Sequence, residues 1–184
     1  MKNLLMKAAF LVGLGFMASH SAHAQTAPNK FGYFDLDYMV SLMPGVERVD
    51  SLLQVFQRDS LNPEYQYELE ELQRNDSTLK ADSAKMPARL YQHRQQEQAQ
   101  RFYKLQNWQQ YSQQVMQAKQ AELLEPTYKK VFDAYKKVKE EGKYTYIFKQ
   151  DSLFDAPPGD NLVPLVAKKL GVKLPANAEQ PGVR

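Results

Sequence analysis

Residues 92–120 read QHRQQEQAQRFYKLQNWQQYSQQVMQAKQ, and this stretch decides the class of fold. Twelve of its 29 residues are glutamine, and it contains no glycine and no proline. Glutamine, lysine, arginine, leucine and alanine are all good helix formers. Its apolar residues recur at the spacing of an amphipathic helix, but they are few. The stretch therefore predicts one long helix that has little apolar surface to bury.

The same composition extends over about residues 45–141, with one strong interruption at residues 82–87 (DSAKMP). This segment combines turn formers with a proline, which breaks a helix. We therefore predict an antiparallel helical hairpin whose outgoing arm covers 45–81 and whose return arm covers 88–141. At about 1.5 Å per residue, the two arms measure roughly 55 Å and roughly 80 Å.

Two prolines lie inside the predicted arms. Asn62-Pro63 in the outgoing arm and Glu125-Pro126 in the return arm each match a helix start, with proline in the first turn. We expect a kink and a new helical segment at both sites. Gly142 matches a helix-ending glycine and predicts the end of the return arm.

Two aromatic-rich segments flank the hairpin, KFGYFDLD at 30–37 and KYTYIFK at 143–149. Aromatic residues favour strands, so we predict that these two segments pair. Asn161 is placed to cap a last short helix that Gly171 ends. The predicted fold is therefore α+β and mostly α: a long coiled-coil tentacle on a small β-containing base formed by 25–44 and 142–174. Residues 175–184 read as a disordered tail.

The N-terminus has the pattern of a secretory signal peptide. Lys2 and Lys7 flank the start of a short apolar run, and Ala22-His23-Ala24 matches a cleavage site. We expect residues 1–24 to be removed after Ala24 on export. The 184-residue chain carries a net charge of +3, which is too small for a dedicated nucleic-acid binder.

Catalytic chemistry finds little support in the residue inventory. The chain has no cysteine, and removal of the signal peptide leaves His93 as the only histidine. A thiol nucleophile and a multi-histidine metal site are therefore excluded. Asp35-Leu36-Asp37 is a weak match to a metal-binding D-x-D motif, and no phosphate-binding glycine motif occurs. We predict no enzyme activity, no metal and no cofactor.

Charge and apolar residues are distributed unevenly along the hairpin. Residues 80–120 carry seven positive and two negative side chains, whereas residues 58–79 carry two positive and six negative ones. The best apolar seam through the return arm is half polar, so we expect a mobile arm. The basic tip is interpreted either as a surface for anionic clients or lipid head groups, or as a solvated face with ion pairs between the helices.

Five segments then coincide with a known family, and they lie in the same order. They are FGYFDLD (31–37), VSLMP (40–44), LLEPTYKKV (123–131), EEGKYTYIF (140–148) and DNLVPLVAKKLG (160–171). Together with the signal peptide and the glutamine-rich hairpin, they resemble the Skp/OmpH family of periplasmic chaperones over about residues 30–172. The resemblance implies a homotrimer with three arms around a cavity. It also implies an ATP-independent holdase that binds unfolded outer-membrane proteins.

A structural envelope or adaptor coiled coil without chaperone activity is the alternative function.

The site residues expected of a chaperone fall into two groups. We expect the trimerisation surface to be formed by Phe31, Tyr33, Phe34, Leu36, Tyr144, Tyr146, Ile147 and Phe148. We expect client or membrane contacts on the arm from Lys85, Arg89, Arg94, Arg101, Phe102, Lys104 and Trp108, with anionic lipid or lipopolysaccharide at the tips.

Overall fold

The fold is given by a computed structural model that describes residues 29–175. It confirms the mostly helical α+β fold, a long helical hairpin with one small pair of strands. The predicted signal peptide and nearly all of the predicted tail lie outside the described residues.

Two short strands close the base of the hairpin. β1 (Phe31–Phe34) and β2 (Tyr146–Lys149) pair in parallel, with Phe31 opposite Tyr146 and Tyr33 opposite Phe148. On its other side, β1 forms a single bridge through Tyr33 to Asn161. The hairpin thus acts as the crossover that parallel strands require.

Six α-helices complete the described chain. The first, fifth and sixth contribute to the base, and the second to fifth form the arm. A single reversal, one 3₁₀ turn followed by extended Met86, joins the third helix to the fourth. The helices are α1 (Leu36–Ser41), α2 (Val49–Phe56), α3 (Asn62–Asp82), α4 (Ala88–Gln106), α5 (Trp108–Gly142) and α6 (Val163–Leu170).

The main apolar cluster lies at the base, between β1, α1, the end of α5 and α6. Met39, Val131, Leu162 and Val166 are completely buried there. Other members of the cluster are Phe34, Val40, Met43, Ala134, Val138, Tyr144, Val163 and Ala167. The arm beyond the base contributes no member to this cluster, although Val49 and Leu61 are buried within the arm itself.

Local hydrogen bonds fix the helix ends around this core. The Asp35 carboxylate accepts a hydrogen bond from the Tyr38 amide at 2.8 Å, so the D-x-D motif begins α1. Asn161 Oδ1 accepts one from the Val163 amide at 2.9 Å, which confirms its predicted capping role. Gly171 ends α6 at φ 70°, where a side chain would be strained.

Gly142 does not end α5 in the predicted way. The left-handed residue at this helix end is Lys143, at φ 53°, and Gly142 is still helical. The absence of a side chain at Gly142 serves packing instead, because a methyl group there would overlap the ring of Tyr144. This ring turns back into the core, so the second strand begins at Tyr146 and not at residue 143.

The structure departs in detail from the helix starts predicted at the two prolines. A wider π turn (Gln57–Leu61) precedes Pro63 and α3 does begin at Asn62, but Asn62 itself already has helical dihedral angles. α5 runs through Pro126 without interruption. The return arm is instead distorted at Asn107, at φ −104° and ψ 21°, where its side-chain amide donates to the Tyr103 carbonyl at 2.8 Å.

Gly32 supplies a direct test of packing at the base. A methyl group there would overlap the side chain of Leu162 and lie 3.0 Å from the Tyr144 ring. We expect Gly32→Ala to lower the free energy of unfolding by about 1–3 kcal/mol, the usual cost of overpacking. Gly159→Ala is the control, because nothing lies within 4 Å of that position. Urea unfolding at fixed protein concentration measures both, and equal midpoints would contradict this packing.

Candidate functional site

Seven side chains form a polar and aromatic cluster halfway along the arm, the mid-arm cluster. Lys104 Nζ lies 2.7 Å from Glu64 Oε1 and 2.9 Å from Glu68 Oε1, and Arg101 also donates to Glu68. The Tyr111 hydroxyl donates to Glu64 at 2.7 Å. Each carboxylate is therefore held from the opposite helix. The members are Glu64, Tyr65, Glu68, Arg101, Lys104, Trp108 and Tyr111.

Aromatic rings complete the cluster around the lysine. Trp108 lies 5.2 Å from Tyr65 edge-on and 5.2 Å from Tyr111, centroid to centroid. Lys104 Nζ is 4.7 Å from the centre of the Tyr111 ring, close enough for a cation–π interaction. The cluster thus joins α3, α4 and the start of α5.

Partial burial and charge act in opposite directions on these groups. Burial alone raises the pKa of Glu68, but the hydrogen bonds from Lys104 and Arg101 outweigh it and hold the pKa below the ordinary 4.5. Burial alone lowers the pKa of Lys104, and the hydrogen bonds to Glu64 and Glu68 raise it above its usual range. The Glu68 carboxylate and the Lys104 ammonium group are therefore both ionised near neutral pH.

The mid-arm cluster contains three of the residues expected to contact clients, Arg101, Lys104 and Trp108. Their charged and aromatic groups are directed to partners within the same arm. Sequence reasoning did not name Glu64, Glu68 or Tyr111 as partners. The sequence does carry a signal for such pairing, because an acidic outgoing arm is followed by a basic return arm. Which residues pair, however, depends on the register of the two helices.

Phe102 projects differently from its neighbours in the cluster. Its side chain is 58% exposed and borders an open groove of about 530 Å³ between α3 and α4. Apolar groups alternate with amides along this distal groove. It is lined by Leu72, Gln73, Asp76, Leu79, Gln95, Gln98, Ala99 and Phe102.

The basic residues nearest the reversal are exposed. Lys85 and Arg89 are exposed and form no ion pair with another described residue. Arg94 lies 3.9 Å from Glu97 on its own helix, and its carbonyl accepts a hydrogen bond from the buried Asn75 amide at 2.8 Å. Only the first two therefore present an unpaired charge at the tip.

The base presents an exposed aromatic patch, which we define as Phe31, Tyr146 and Phe148. The Phe31 ring stacks on Tyr146 at 5.6 Å and on Phe148 at 6.3 Å, and about half of each side chain is exposed. The remaining residues expected at a trimer surface are turned inward. Tyr33, Phe34 and Tyr144 are buried, and Leu36 and Ile147 pack against the core.

Metal-ligating side chains do not cluster in the described part of the chain. Residues 29–175 contain no group of three or more histidine and carboxylate side chains placed to hold a metal ion. His93, exposed on α4, lies 3.6 Å from Glu97. Within the same range, the helices are too polar or too short to span a bilayer.

The mid-arm cluster predicts a pH-dependent contribution to stability. We expect Glu68→Gln to lower the free energy of unfolding by about 1–3 kcal/mol at pH 7, because the amide leaves Arg101 without its charged acceptor and Lys104 with Glu64 alone. A carboxylate of lowered pKa stabilises above its unfolded pKa, and this contribution disappears as the pH falls below about 4.5. Wild type should therefore lose more stability on acidification than the variant.

Chemical unfolding across this pH range measures the difference. Glu122→Gln is the matched control, since Glu122 is 64% exposed and pairs with Lys119 at 2.7 Å on its own helix. That surface pair contributes at most about 1 kcal/mol. Equal losses in the two variants would mean that the mid-arm cluster adds nothing beyond an ordinary surface pair.

Comparison with known proteins completes the description of these surfaces. The model of the OmpH-like outer membrane protein family matches residues 30–170, which include the base and the whole arm. Among solved structures, a candidate outer membrane chaperone (OmpH-like) from Caulobacter crescentus is similar, at 16% identity and a TM-score of 0.44. That alignment covers 78% of this chain and 85% of the other. No curated protein sequence matches. On the family match, the chain belongs to the OmpH-like outer membrane protein family.

Proposed function

We propose that this protein is an ATP-independent periplasmic holdase that binds unfolded outer-membrane proteins and prevents their aggregation. The observation that carries the proposal is the distal groove, an open and partly apolar channel on a solvated arm. Membership of the OmpH-like family supports the choice of client. The proposal assigns no enzyme activity and no cofactor to the chain.

The chemistry of the groove suits an extended, unfolded chain. Leu72, Leu79 and Phe102 offer apolar contacts, while the amides of Gln95 and Gln98 can donate to or accept from a client backbone in either direction. Such contacts are individually weak and do not discriminate between client sequences. Several arms acting together would supply avidity without a single strong site.

The proposal includes export and self-association. Cleavage after Ala24 would release the chain into the periplasm, and three copies joined at the base would place three arms around a client. The aromatic patch supports this assembly, because three adjacent half-exposed rings form apolar surface that a second copy could cover. Lys85 and Arg89 at the tips would meet acidic clients or anionic lipid and lipopolysaccharide head groups. No nucleic-acid partner is proposed.

A structural coiled coil of the envelope remains the second candidate. The mid-arm cluster favours this second candidate, because Arg101, Lys104 and Trp108 contact other residues of the same arm. A purely structural arm would have no use for the distal groove. The two candidates therefore differ in whether changes at that groove alter the behaviour of an unfolded client.

Phe102→Ser tests the holdase at the groove. A urea-unfolded outer-membrane β-barrel protein is diluted into buffer without nucleotide, and light scattering reports aggregation. We expect wild type to suppress scattering and Phe102→Ser to require about fivefold more protein, since each lost apolar contact is worth about 1 kcal/mol. Tyr103→Ser is the control, because Tyr103 is 68% exposed and does not line the groove.

Two outcomes separate the candidates. If wild type in excess fails to suppress scattering, the chain is not a holdase for these clients. That result would favour the structural coiled coil. If both serine variants behave like wild type, capture occurs but the groove is not where it happens.

Charge reversal at the tip tests electrostatic capture. We expect Lys85→Glu with Arg89→Glu to slow client association about tenfold at low salt, because exposed positive charge steers an acidic chain. The difference should vanish at high salt, where exposed charges are screened. Stopped-flow fluorescence of a labelled client gives the rates. The same reversal at exposed Lys130 and Lys137 on α5 is the control, and an equal effect there would show that only net charge matters.

A further inference from the structure

A second groove lies next to the mid-arm cluster on the side of the base, and the proposed function does not use it. We call it the proximal groove. Its walls are α2 with the π turn that follows it and the first turns of α5. Its volume of about 560 Å³ falls within the range of small-ligand sites, about 300–1,000 Å³. The amide and aromatic residues of its lining are Gln57, Asn62, Trp108, Gln113, Gln117 and Gln120.

The backbone is irregular at both walls of the proximal groove. On one wall, the π turn contributes Gln57 and Leu61 to the lining. On the other wall, Trp108 begins α5 directly after the distortion at Asn107. Short π turns inside helices occur frequently at functional sites. The groove therefore coincides with two departures from regular helix geometry.

The side-chain amides of the proximal groove are free to bind a ligand. Five of the ten lining residues are glutamine or asparagine, and no lining residue carries a charge. None of these five side-chain amides forms a hydrogen bond with another residue of the described chain. In the distal groove, by contrast, the Gln98 amide donates to Asp76 at 3.3 Å. Each free amide offers two donor hydrogens and an acceptor oxygen side by side.

Three ion pairs flank the proximal groove and engage charged residues that lie beside it in sequence. The pairs are Arg58–Asp59 at 2.6 Å, Lys104–Glu64 at 2.7 Å and Lys119–Glu122 at 2.7 Å. Ligands that carry a charge gain most from charged partners, and the lining of this groove offers none. A groove with many hydrogen-bonding groups and an uncharged lining favours a polar but neutral ligand.

Trp108 adds an aromatic surface that borders two pockets. Its half-buried indole lines the proximal groove and also, together with Tyr65 and Gln66, a smaller pocket of about 280 Å³. The faces of an aromatic ring are electron-rich and attract the slightly positive C–H groups of a sugar ring. The hydroxyl groups at the edge of a sugar both donate and accept hydrogen bonds, which side-chain amides can satisfy. An aromatic ring among neutral amides therefore has the composition of a saccharide-binding site.

We propose that the proximal groove binds a neutral saccharide chain, with one sugar ring packed on Trp108 and its hydroxyl groups hydrogen-bonded to Gln113, Gln117 and the other lining amides. The competing occupant is an unfolded protein. A peptide backbone offers one donor and one acceptor per residue, and apolar client side chains are better matched by the leucines and Phe102 of the distal groove. Hydroxyl groups are denser along a saccharide, and the proximal groove has more amides than the distal one and no carboxylate.

The fluorescence of Trp108 tests the proposal directly, because it is the only tryptophan of the chain. The protein is titrated at millimolar concentration with maltohexaose, which carries hydroxyl groups alone, and with chitohexaose, which also carries acetamido groups. We expect a saturable shift of the emission to shorter wavelength with at least one of them, since a packed sugar ring excludes water from the indole. The oligosaccharide that binds identifies the class of sugar. Glycerol at the same mass concentration is the solvent control, and shifts no larger than its effect with both sugars would overturn the proposal.

Two pairs of alanine substitutions locate the site. We expect Gln113→Ala with Gln117→Ala to weaken binding about tenfold, since each hydrogen bond contributes roughly a factor of three. Gln110→Ala with Gln114→Ala is the matched control, because these glutamines are exposed at the same spacing on α5 and line neither pocket. Equal losses in the two variants would overturn the assignment to this groove. A shift caused by a tryptophan-free unfolded polypeptide and by neither sugar would assign the groove to protein clients and also overturn the proposal.

Discussion

The parallel pairing of β1 with β2 is the contact on which the rest of the structure depends. It pairs Phe31 with Tyr146, two residues that are separated in sequence by the whole hairpin. The start of the outgoing arm and the end of the return arm are therefore held next to each other at the base. Two strands do not form a stable sheet without cover. Here α1, α5 and α6 supply that cover through Met39, Val131 and Val166, which are fully buried. The base therefore holds both ends of the arm, and it contains the main apolar cluster.

Beyond the base, the arm is held by polar contacts instead of a hydrophobic seam. Asn75, buried between the helices, donates to the Arg94 carbonyl, and Gln98 lies 3.3 Å from Asp76. Contacts of this kind fix the register of two helices but add less free energy than apolar packing. The π turn before Pro63 and the distortion at Asn107 lie next to the mid-arm cluster in sequence. We therefore expect the arm to deform more readily than the base.

Much of this organisation could be predicted because its signals are local. Long helices follow from composition and periodicity, the strands from aromatic runs, and the cap at Asn161 from residue type. The errors share a cause, which is that tertiary packing overrides a local rule. Gly142 looks like a helix end, yet it is glycine because the Tyr144 ring packs on it. Pro126 looks like a break, yet α5 continues through it into the segment anchored by Val131 and Val138.

The site residues were harder to predict, since they depend on register and on which face meets solvent. Adjacent residues in the return arm have different surroundings: Arg101 and Lys104 pair with the outgoing helix, Phe102 borders the distal groove, and Tyr103 is exposed to solvent. The composition of this stretch shows that charged and aromatic residues are both present, but not which of them contact the opposite helix. The same limit applies to Phe154 in the loop between β2 and α6, whose exposure depends on how this loop lies over the base.

The exposed apolar residues divide by position, and the division argues for two kinds of partner. On the arm they are scattered among glutamines and charges: Tyr67, Leu90, Phe102 and Tyr103. At the base they are concentrated in the aromatic patch and at Phe154. Concentrated apolar surface favours one partner of fixed shape, because its burial is large and geometrically specific. Scattered apolar groups favour partners that have no fixed shape, since many weak contacts can form in any order. Under the proposed function, the base would support one constant assembly and the arm a changing set of clients.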